Sequence, residues 1–281
     1  MTRPPARTTP PHVAWSALFL AAHWAYAVLV LIPWLLARRP RSAPRRPPAG
    51  AGREPPPAEP AVAEIPGGPV PGVAEFDRLA LLYDMVSWPL TAPLFAAARD
   101  AIEPLLSPDA HVLDLACGPG RDLRSLAHLV PRGRVVGVDL APGMLSLARR
   151  RLRRSGYSNW ALLRADAAAL PAELQGRFDL AHCSLAHHHF QRPERVAAEV
   201  LRCLRPGGAY AIVDTVEPWL TDRLAPLSRR ADPGFQRFHS PAELDVLLRA
   251  AGFASVEVAR LAPGLAVVLA RAPGSTGGGP R

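Results

Sequence analysis

The residues best suited to chemistry lie near the middle of the chain, where an apolar run meets a glycine turn. Residues 112–122 place Gly118 and Gly120 between a predicted strand and a predicted helix. Glycine has no Cβ, so the backbone at these two positions can turn sharply and approach a ligand closely. The dinucleotide fingerprint requires Gly or Ala at position 123, and Leu123 stands there instead. This difference argues against an NAD enzyme.

Two acids follow the next two predicted strands. Asp139 comes 19 residues after Gly120 and could accept hydrogen bonds from both hydroxyls of a ribose. Asp166 could accept a hydrogen bond from an adenine amino group. Each acid could also have a purely structural role. Asp139 lies near a predicted helix start at Pro142, where an acid is favourable, and Asp166 lies in a predicted turn, where Asp is common.

Three histidines, His187, His188 and His189, follow the fourth predicted strand. The pKa of histidine lies near neutral pH, so His188 or His189 could act as a general base. The alternative is that these rings only pack against a ligand. Three adjacent side chains diverge, and we therefore predict no metal site. Ser184 could bind a ligand or simply end the strand, and Cys117 is better explained as a small wall residue than as a nucleophile.

The segments that carry these residues alternate between strand and helix. We predict strands at 111–116, 134–139, 160–165, 177–183, 208–214, 255–259 and 265–270. We predict helices after Gly120, from Pro142, at 192–204 and at 241–251. This alternation predicts an α/β fold with a mainly parallel sheet covered by helices on both faces. Ligands bind such sheets at the carboxyl ends of the strands.

The N-terminal part has a different composition. Residues 13–37 form an uncharged run of 25 residues, with Trp15 and Trp34 near its ends. Such a run is about 37 Å long as a helix, which predicts a single transmembrane helix with an indole near each interface. The alternatives are a buried core helix and a cleaved secretory signal. Six arginines follow the run and two precede it, so we expect the C-terminal part in the cytoplasm.

Composition also divides the chain and limits its partners. We predict an anchor at 1–37, a disordered linker at 38–73 with 11 prolines, a domain at 74–271 and a disordered tail at 272–281. The net charge is +9, but residues 1–60 contribute +6 of it, because they hold eight Arg and two Glu. The folded part is nearly balanced, so we expect no nucleic-acid partner. Three scattered cysteines fit a reduced compartment rather than a disulfide framework.

Residues 76–260 resemble the class I S-adenosylmethionine-dependent methyltransferases, especially the ubiquinone and menaquinone C-methyltransferase branch. The resemblance lies in the glycine motif at 114–120 and the acids Asp139 and Asp166. It extends to Phe-Asp-Leu at 178–180, Leu-Arg-Pro-Gly-Gly at 204–208, Ala-Gly-Phe at 251–253 and a helix at 76–85. It implies a Rossmann-like, seven-stranded, mostly parallel sheet and S-adenosylmethionine as the cofactor. The cofactor-binding residues that it implies are Tyr83, Asp114, Ala116, Cys117, Gly118, Pro119, Gly120, Asp139, Leu140, Met144, Asp166, Ala167, Cys183 and Ser184.

The resemblance and the predicted anchor together indicate a membrane-tethered methyltransferase that acts on a small lipophilic acceptor. A quinone-like carbon or hydroxyl is the leading acceptor, because an anchored site meets substrates dissolved in the bilayer more often. N-methylation of phosphatidylethanolamine is the second possibility. A different class of function is a non-catalytic cofactor-binding scaffold at the membrane. The sequence makes no prediction of oligomeric state.

Overall fold

The described part of the chain alternates strands and helices, as its hydrophobic pattern predicts. The computed structural model describes residues 73–215, 225–226, 234–262 and 264–274. The strands are β1 (His111–Leu115), β2 (Arg134–Asp139), β3 (Trp160–Arg164), β4 (Phe178–Ser184), β5 (Leu204–Thr215), β6 (Ser255–Ala262) and β7 (Leu265–Arg271). The helices are α1 (Val73–Ile102), α2 (Arg121–Leu129), α3 (Pro142–Ser155), α4 (Pro193–Cys203) and α5 (Pro241–Ala250).

These strands form one sheet in the order β3-β2-β1-β4-β5-β7-β6. The pairs among β1 to β5 are parallel, whereas β7 runs antiparallel to both β5 and β6. The predicted seven-stranded, mostly parallel sheet is therefore confirmed. After β3 the chain returns past β1 to form β4, so the strand order reverses between β1 and β4. Such a switch point opens a crevice at the carboxyl ends of the strands.

Both faces of the sheet are covered, which explains why nearly all residues of the central strands β1 and β4 are buried. One core contains Leu94 of α1 and Leu123 of α2, packed against Val112 of β1. The core on the other face contains Val200 of α4 and Leu248 of α5. The sheet is thus held rigid from two sides, and the ends of its strands keep fixed positions.

Helix α1, predicted at 76–85, extends to Ile102. Among the strands, the largest difference from the predicted boundaries concerns β5. It begins at Leu204 rather than at 208, because Leu204 pairs with Phe178 at the start of β4. The register then shifts, and Leu180 pairs with Ala209. The proline and glycines of this stretch suggested a turn, but the chain stays alongside β4 through it.

The helix boundaries follow local signals in the sequence. Helices α3, α4 and α5 each have proline in the first turn, where its missing N–H and fixed φ suit a helix start. Ser240 and Glu243 form a capping box at the start of α5. Gly156, with a φ of 81°, follows the end of α3.

Several sequence-based predictions concern residues that the structure does not describe. Within the described ranges, no helix has the length and apolar character needed to cross a membrane. The predicted transmembrane segment at 13–37 lies outside these ranges, as do residues 38–72 of the linker and 275–281 of the tail. Those predictions stay untested.

Gly120 allows the turn after β1 to lie against α3. It has a φ of 74° and precedes the first residue of α2. A Cβ at this position would lie 2.7 Å from Ala148 Cβ and 2.9 Å from Ala148 Cα. A side chain at position 120 would therefore push the glycine turn away from α3.

Gly120→Ala should lower the free energy of unfolding more than Gly207→Ala, although the two glycines have φ values of 74° and 75°. Both substitutions place an L residue in the left-handed region, at a cost of about 1–2 kcal/mol. Nothing lies within 4 Å of a Cβ at position 207. We therefore expect an additional loss of about 1–3 kcal/mol only for Gly120→Ala. Urea unfolding measures both losses, and equal losses would contradict the close packing at Gly120.

Candidate functional site

A cavity opens at the carboxyl ends of β1 to β4, at the switch point of the sheet. Most residues that the sequence singled out line this cavity. They are Asp114, Ala116, Cys117, Gly118, Pro119, Asp139, Leu140, Met144, Asp166, Ala167, Ser184 and His189. They come from separate stretches of the chain, and the parallel strands bring them together.

Three of the predicted residues do not line the cavity. Gly120 is turned toward α3, so its absent Cβ matters for packing there rather than for contact with a ligand. Cys183 is fully buried in the core beneath α4 and α5, whereas its neighbour Ser184 lines the cavity, because successive residues of a strand face opposite sides. His188 lies outside the lining residues, next to His189. The side chain of Tyr83 lies outside the described residues.

Asp139 connects the glycine turn to the tip of β2. Its Oδ2 accepts a hydrogen bond from the backbone N–H of Gly118 at 2.8 Å, and its Oδ1 accepts one from the N–H of Ala141 at 2.9 Å. Burial raises the pKa of Asp139 to about 6, although these two hydrogen bonds favour the ionised form. A carboxylate has about four lone-pair positions. The two backbone bonds therefore leave Asp139 able to accept further hydrogen bonds from a ligand.

Helix α1 is fastened to the glycine turn by Asp84. Its carboxylate accepts a hydrogen bond from Arg121 Nε at 2.7 Å and one from Arg151 at 2.6 Å. Arg151 also donates to the carbonyl oxygen of Pro119. Buried ion pairs with several hydrogen bonds hold their partners in one geometry. The sequence analysis gave Asp84 no function and missed its part in positioning α1.

The charges around the cavity favour a cationic ligand. Four carboxyl groups line it, those of Asp114, Asp122, Asp139 and Asp166. Arg121 is the guanidinium among the described lining residues, and it is paired with Asp84. The carboxylates would repel a pyrophosphate group, and Arg121 is already paired with Asp84. A positively charged ligand would be attracted instead. This agrees with the sequence argument against NAD.

Part of the cavity wall is apolar. Phe95 of α1 and Leu185 and Phe190, which follow β4, form part of its wall. Among the described residues, Ala116 and Leu185 are the non-glycine residues with positive φ, at 50° and 51°. Both line the cavity, and strained backbone of this kind collects at functional sites. The cavity lining thus combines carboxyl groups with apolar side chains.

The histidines after β4 differ in their surroundings. Burial lowers the pKa of His187 to about 3, so its ring, packed edge-on against Phe190 and His239, stays neutral near pH 7. His189 lines the cavity. The ring centroid of His188 lies 4.2 Å from that of His189. His187 is therefore a packing residue, and the candidates for proton transfer remain His188 and His189.

Asp214, at the end of β5, orients His188. Its carboxylate oxygens lie 2.9 and 3.0 Å from Nδ1 of His188, and one of them accepts a hydrogen bond from the backbone N–H of His188 at 3.1 Å. Asp214 is 4% exposed. The sequence reasoning missed this residue, and a signal was available, because an acid at the carboxyl end of a central parallel strand lies at the ligand-binding edge.

Comparisons with known proteins agree with this geometry. Residues 112–208 match a family described as "Methyltransferase domain". The chain is 32% identical to a demethylmenaquinone methyltransferase of Symbiobacterium thermophilum, over 51% of this chain and 59% of that protein. It is 32% identical to a 2-phytyl-1,4-naphtoquinone methyltransferase of Thermosynechococcus vestitus, over 69% of this chain and 96% of that protein. It is 31% identical to a nocamycin O-methyltransferase of Saccharothrix syringae, over 64% of this chain and 71% of that protein.

A solved structure shows the same fold. A Thermotoga maritima protein described as an S-adenosylmethionine-dependent methyltransferase superposes with a TM-score of 0.58. The match has 21% sequence identity and covers 71% of this chain and 98% of the other. The cavity at the switch point, the glycine turn, the acid at the tip of β2 and these matches lead to one conclusion. The chain belongs to the class I S-adenosylmethionine-dependent methyltransferases, and its cofactor is S-adenosylmethionine.

Proposed function

We propose that this methyltransferase acts on a small lipophilic acceptor with a quinone-like ring, at a ring carbon or a hydroxyl. The observation that carries the proposal is that the cavity lining combines four carboxyl groups with apolar side chains that include Phe95, Leu185 and Phe190. Two of the relatives are named for quinone-type substrates, which supports a ring acceptor. The nocamycin relative is named as an O-methyltransferase, so a hydroxyl acceptor stays in the proposal.

The carboxyl groups of the lining suit the cofactor. Asp139, held by the glycine turn, is the proposed acceptor of the ribose hydroxyls. Asp166 is the proposed acid at the adenine side; its carboxylate already accepts hydrogen bonds from Ala168 N–H at 2.8 Å and Arg192 at 3.2 Å. Nothing lies within 4 Å of a Cβ at Gly118, so a ligand can approach the backbone there. When bound, S-adenosylmethionine supplies a methyl group activated by its sulfonium centre.

The protein's part in the reaction is alignment, exclusion of water and removal of a proton. His189 lines the cavity, so we propose that it takes the proton of the acceptor. His188 and Asp214 lie behind it and hold its position, since the rings of His188 and His189 are in contact and Asp214 fixes His188. With S-adenosylmethionine bound, its sulfonium group would supply the methyl group to the acceptor, and His189 would hold the acceptor's proton until solvent removes it.

Substitution of His189 should separate proton transfer from cofactor binding. We expect His189→Gln to lower turnover by about 100-fold while the affinity for S-adenosylmethionine is unchanged. His188→Gln and Asp214→Asn should lower turnover by about tenfold, because each loosens the ring that supports His189. Single-turnover kinetics and calorimetry measure the two quantities. A loss below about threefold in all three variants would leave these residues with a packing function only.

The membrane anchor remains a proposal from the sequence. The uncharged run at 13–37 and the arginines after it support a single-pass protein with the catalytic domain on the cytoplasmic side. The proline-rich residues 38–72 would let the domain stand away from the bilayer. The lining residues that the structure describes lie at or beyond position 73, so removal of 1–72 spares them.

The full chain and a variant lacking residues 1–72 should differ only on membrane substrates. With methyl-labelled cofactor and a lipid extract, we expect the full chain to label a quinone-like lipid and the shortened chain to label it at least about tenfold more slowly. Both should methylate a water-soluble hydroquinone at the same rate, because the cavity is the same.

The distribution of the label decides between the alternatives. Label in phosphatidylethanolamine would replace the quinone proposal with phospholipid N-methylation. Absence of label from all lipids and from the hydroquinone would favour a non-catalytic scaffold. Equal rates of the two chains on the lipid would contradict the anchor, as would release of the full chain from membranes by alkaline carbonate.

A further inference from the structure

The helices on the two faces of the sheet differ in charge. Helix α3 contains five arginines, all between positions 149 and 154, and no Asp or Glu, so its formal charge is +5. On the other face, α4 contains two Arg and two Glu, and α5 contains one Arg, one Glu and one Asp. The charges of α4 and α5 are therefore close to balance, whereas α3 is strongly basic.

The arginines of α4 and α5 also have acidic partners within their own helices. Arg202 lies 2.5 Å from Glu199 in α4, and Arg249 lies 2.9 Å from Asp245 in α5. Pairs of this kind, three or four residues apart, are typical of a solvated helix surface. Helix α3 contains no acid that could form such a pair. Its basic surface therefore needs a different explanation.

The arginines of α3 are divided between two sides of the helix. Arg151 is directed toward α1 and lies 2.6 Å from Asp84. Arg150 and Arg154 are exposed to solvent. These two residues are four positions apart, so they lie on the same side of the helix. Two guanidinium groups therefore face outward together.

Helix α1 lies alongside α3 and adds an apolar side chain to this surface. Asp77 accepts a hydrogen bond from the backbone N–H of Gly143, and Asp84 accepts one from Arg151. These two contacts hold the first part of α1 against α3. Leu81 lies between the two acids in the chain and is 58% exposed. Exposed apolar and basic side chains together are typical of helices that bind at a membrane surface.

Helix α1 also connects this surface to the cavity and to the N-terminal part of the chain. Val73, Thr91 and Phe95 of α1 line the cavity. Because α1 begins at Val73, it directly follows residues 38–72, which separate it from the predicted membrane segment at 13–37. A chain that comes from the bilayer would therefore enter the domain at α1.

We propose that the α1–α3 surface, defined by Leu81, Arg150 and Arg154, docks on a bilayer that contains anionic lipids. Guanidinium groups bind the phosphates of lipid headgroups with paired hydrogen bonds, and Leu81 enters the region between headgroups and acyl chains. Docking places the α1 wall of the cavity next to the bilayer. The inference rests on the proposed lipid acceptor, because it states how that acceptor reaches the cavity.

A bilayer explains this surface better than a nucleic acid does. The phosphates of a nucleic acid would also attract Arg150 and Arg154. A nucleic acid backbone, however, offers no apolar layer to Leu81, and the entry of the chain at α1 has no bearing on it. Anionic lipids satisfy both the charge of α3 and the exposed leucine of α1.

Fluorescence quenching in lipid nanodiscs tests the docking of the full chain. A fluorophore is attached at Ser146→Cys, an exposed position on α3, while the native cysteines Cys117, Cys183 and Cys203 are buried. The lipids carry a nitroxide quencher at the headgroup. We expect quenching when about one third of the lipid is phosphatidylglycerol and little quenching in pure phosphatidylcholine. About 0.5 M salt should remove the quenching, because it screens the charges.

The same fluorophore on the other face is the control for position. Ala250 of α5 is exposed, and a label at Ala250→Cys should stay unquenched in both kinds of nanodisc. This control distinguishes docking through the α1–α3 surface from random contact between the domain and the bilayer.

Two matched pairs of substitutions test the arginines. Arg150→Gln combined with Arg154→Gln should lower the ratio of docked to undocked chain by about 25-fold, since each arginine near an anionic surface contributes about a factor of five. Arg195→Gln combined with Arg249→Gln removes the same charge from α4 and α5 and should leave docking unchanged. The first pair should also slow methylation of a quinone-like lipid. Neither pair lines the cavity, so methylation of a water-soluble hydroquinone should be unaffected.

Three results would overturn the inference: no quenching at position 146 in anionic nanodiscs, equal quenching at position 250, or equal docking of the two pairs. An RNA oligonucleotide that loses affinity only in the first pair, without quenching in nanodiscs, would assign the surface to nucleic acid instead. Failure of the proposed function has a different signature, because a docked chain would then label no quinone-like lipid. Failure of the anchor would release the chain from phosphatidylcholine nanodiscs, while quenching in anionic nanodiscs would still measure docking.

Discussion

The carboxylate of Asp139 is the contact on which the arrangement of the site depends. It accepts the N–H of Gly118 on one oxygen and the N–H of Ala141 on the other. One side chain therefore ties the turn after β1 to the start of α3. The close approach of Gly120 to Ala148 is a second contact between this turn and α3. The glycine turn follows the rigid strand β1, and Asp139 ends the rigid strand β2. The cavity between them is therefore formed before any ligand arrives.

The buried carboxyl groups near this contact lower the stability of the folded protein, and the fold alone does not explain their presence. Asp114 and Asp122 lie together in a cluster that is almost free of solvent, and each has an oxygen without a hydrogen-bond partner. Removing charged groups from water destabilises a protein unless they are paired or protonated. A positively charged ligand would supply the missing partner. The same negative lining disfavours the pyrophosphate of a dinucleotide, although the strand topology resembles that of dinucleotide-binding folds.

Much of the fold and the set of residues around the cavity could be predicted from the sequence, because each depends on local signals. The apolar runs predicted all seven strands, and Asp139 was predicted at the end of the second strand, where the structure has it. Gly120 shows the limit of such reasoning. Its lack of a Cβ suggested contact with a ligand, whereas the neighbour that requires it is Ala148, 28 residues later in the chain. Side-chain direction decided the difference between Cys183 and Ser184 in the same way.

The residues that sequence reasoning missed act through partners that are distant in the chain. Asp84 meets Arg151, and Asp214 meets His188, only because the sheet brings α1, α3 and the ends of β4 and β5 together. Asp122 was visible beside the glycine motif, but its burial against His182 was not. A pattern in one segment predicts the element that carries a residue, and the contacts across elements decide its chemistry.

The affinity of the Asp139→Asn variant for S-adenosylmethionine tests the central claim most directly. Calorimetry at pH 8 is suitable, because Asp139, with a pKa of about 6, is then ionised in the unmodified chain. The amide keeps the size of the side chain but loses the charge and one acceptor, so we expect an affinity lower by at least about tenfold, or about 1.4 kcal/mol. Asp245→Asn, on the exposed side of α5, is the control and should bind as the unmodified chain does. An unchanged affinity in folded Asp139→Asn would contradict the assignment of the cofactor to this cavity.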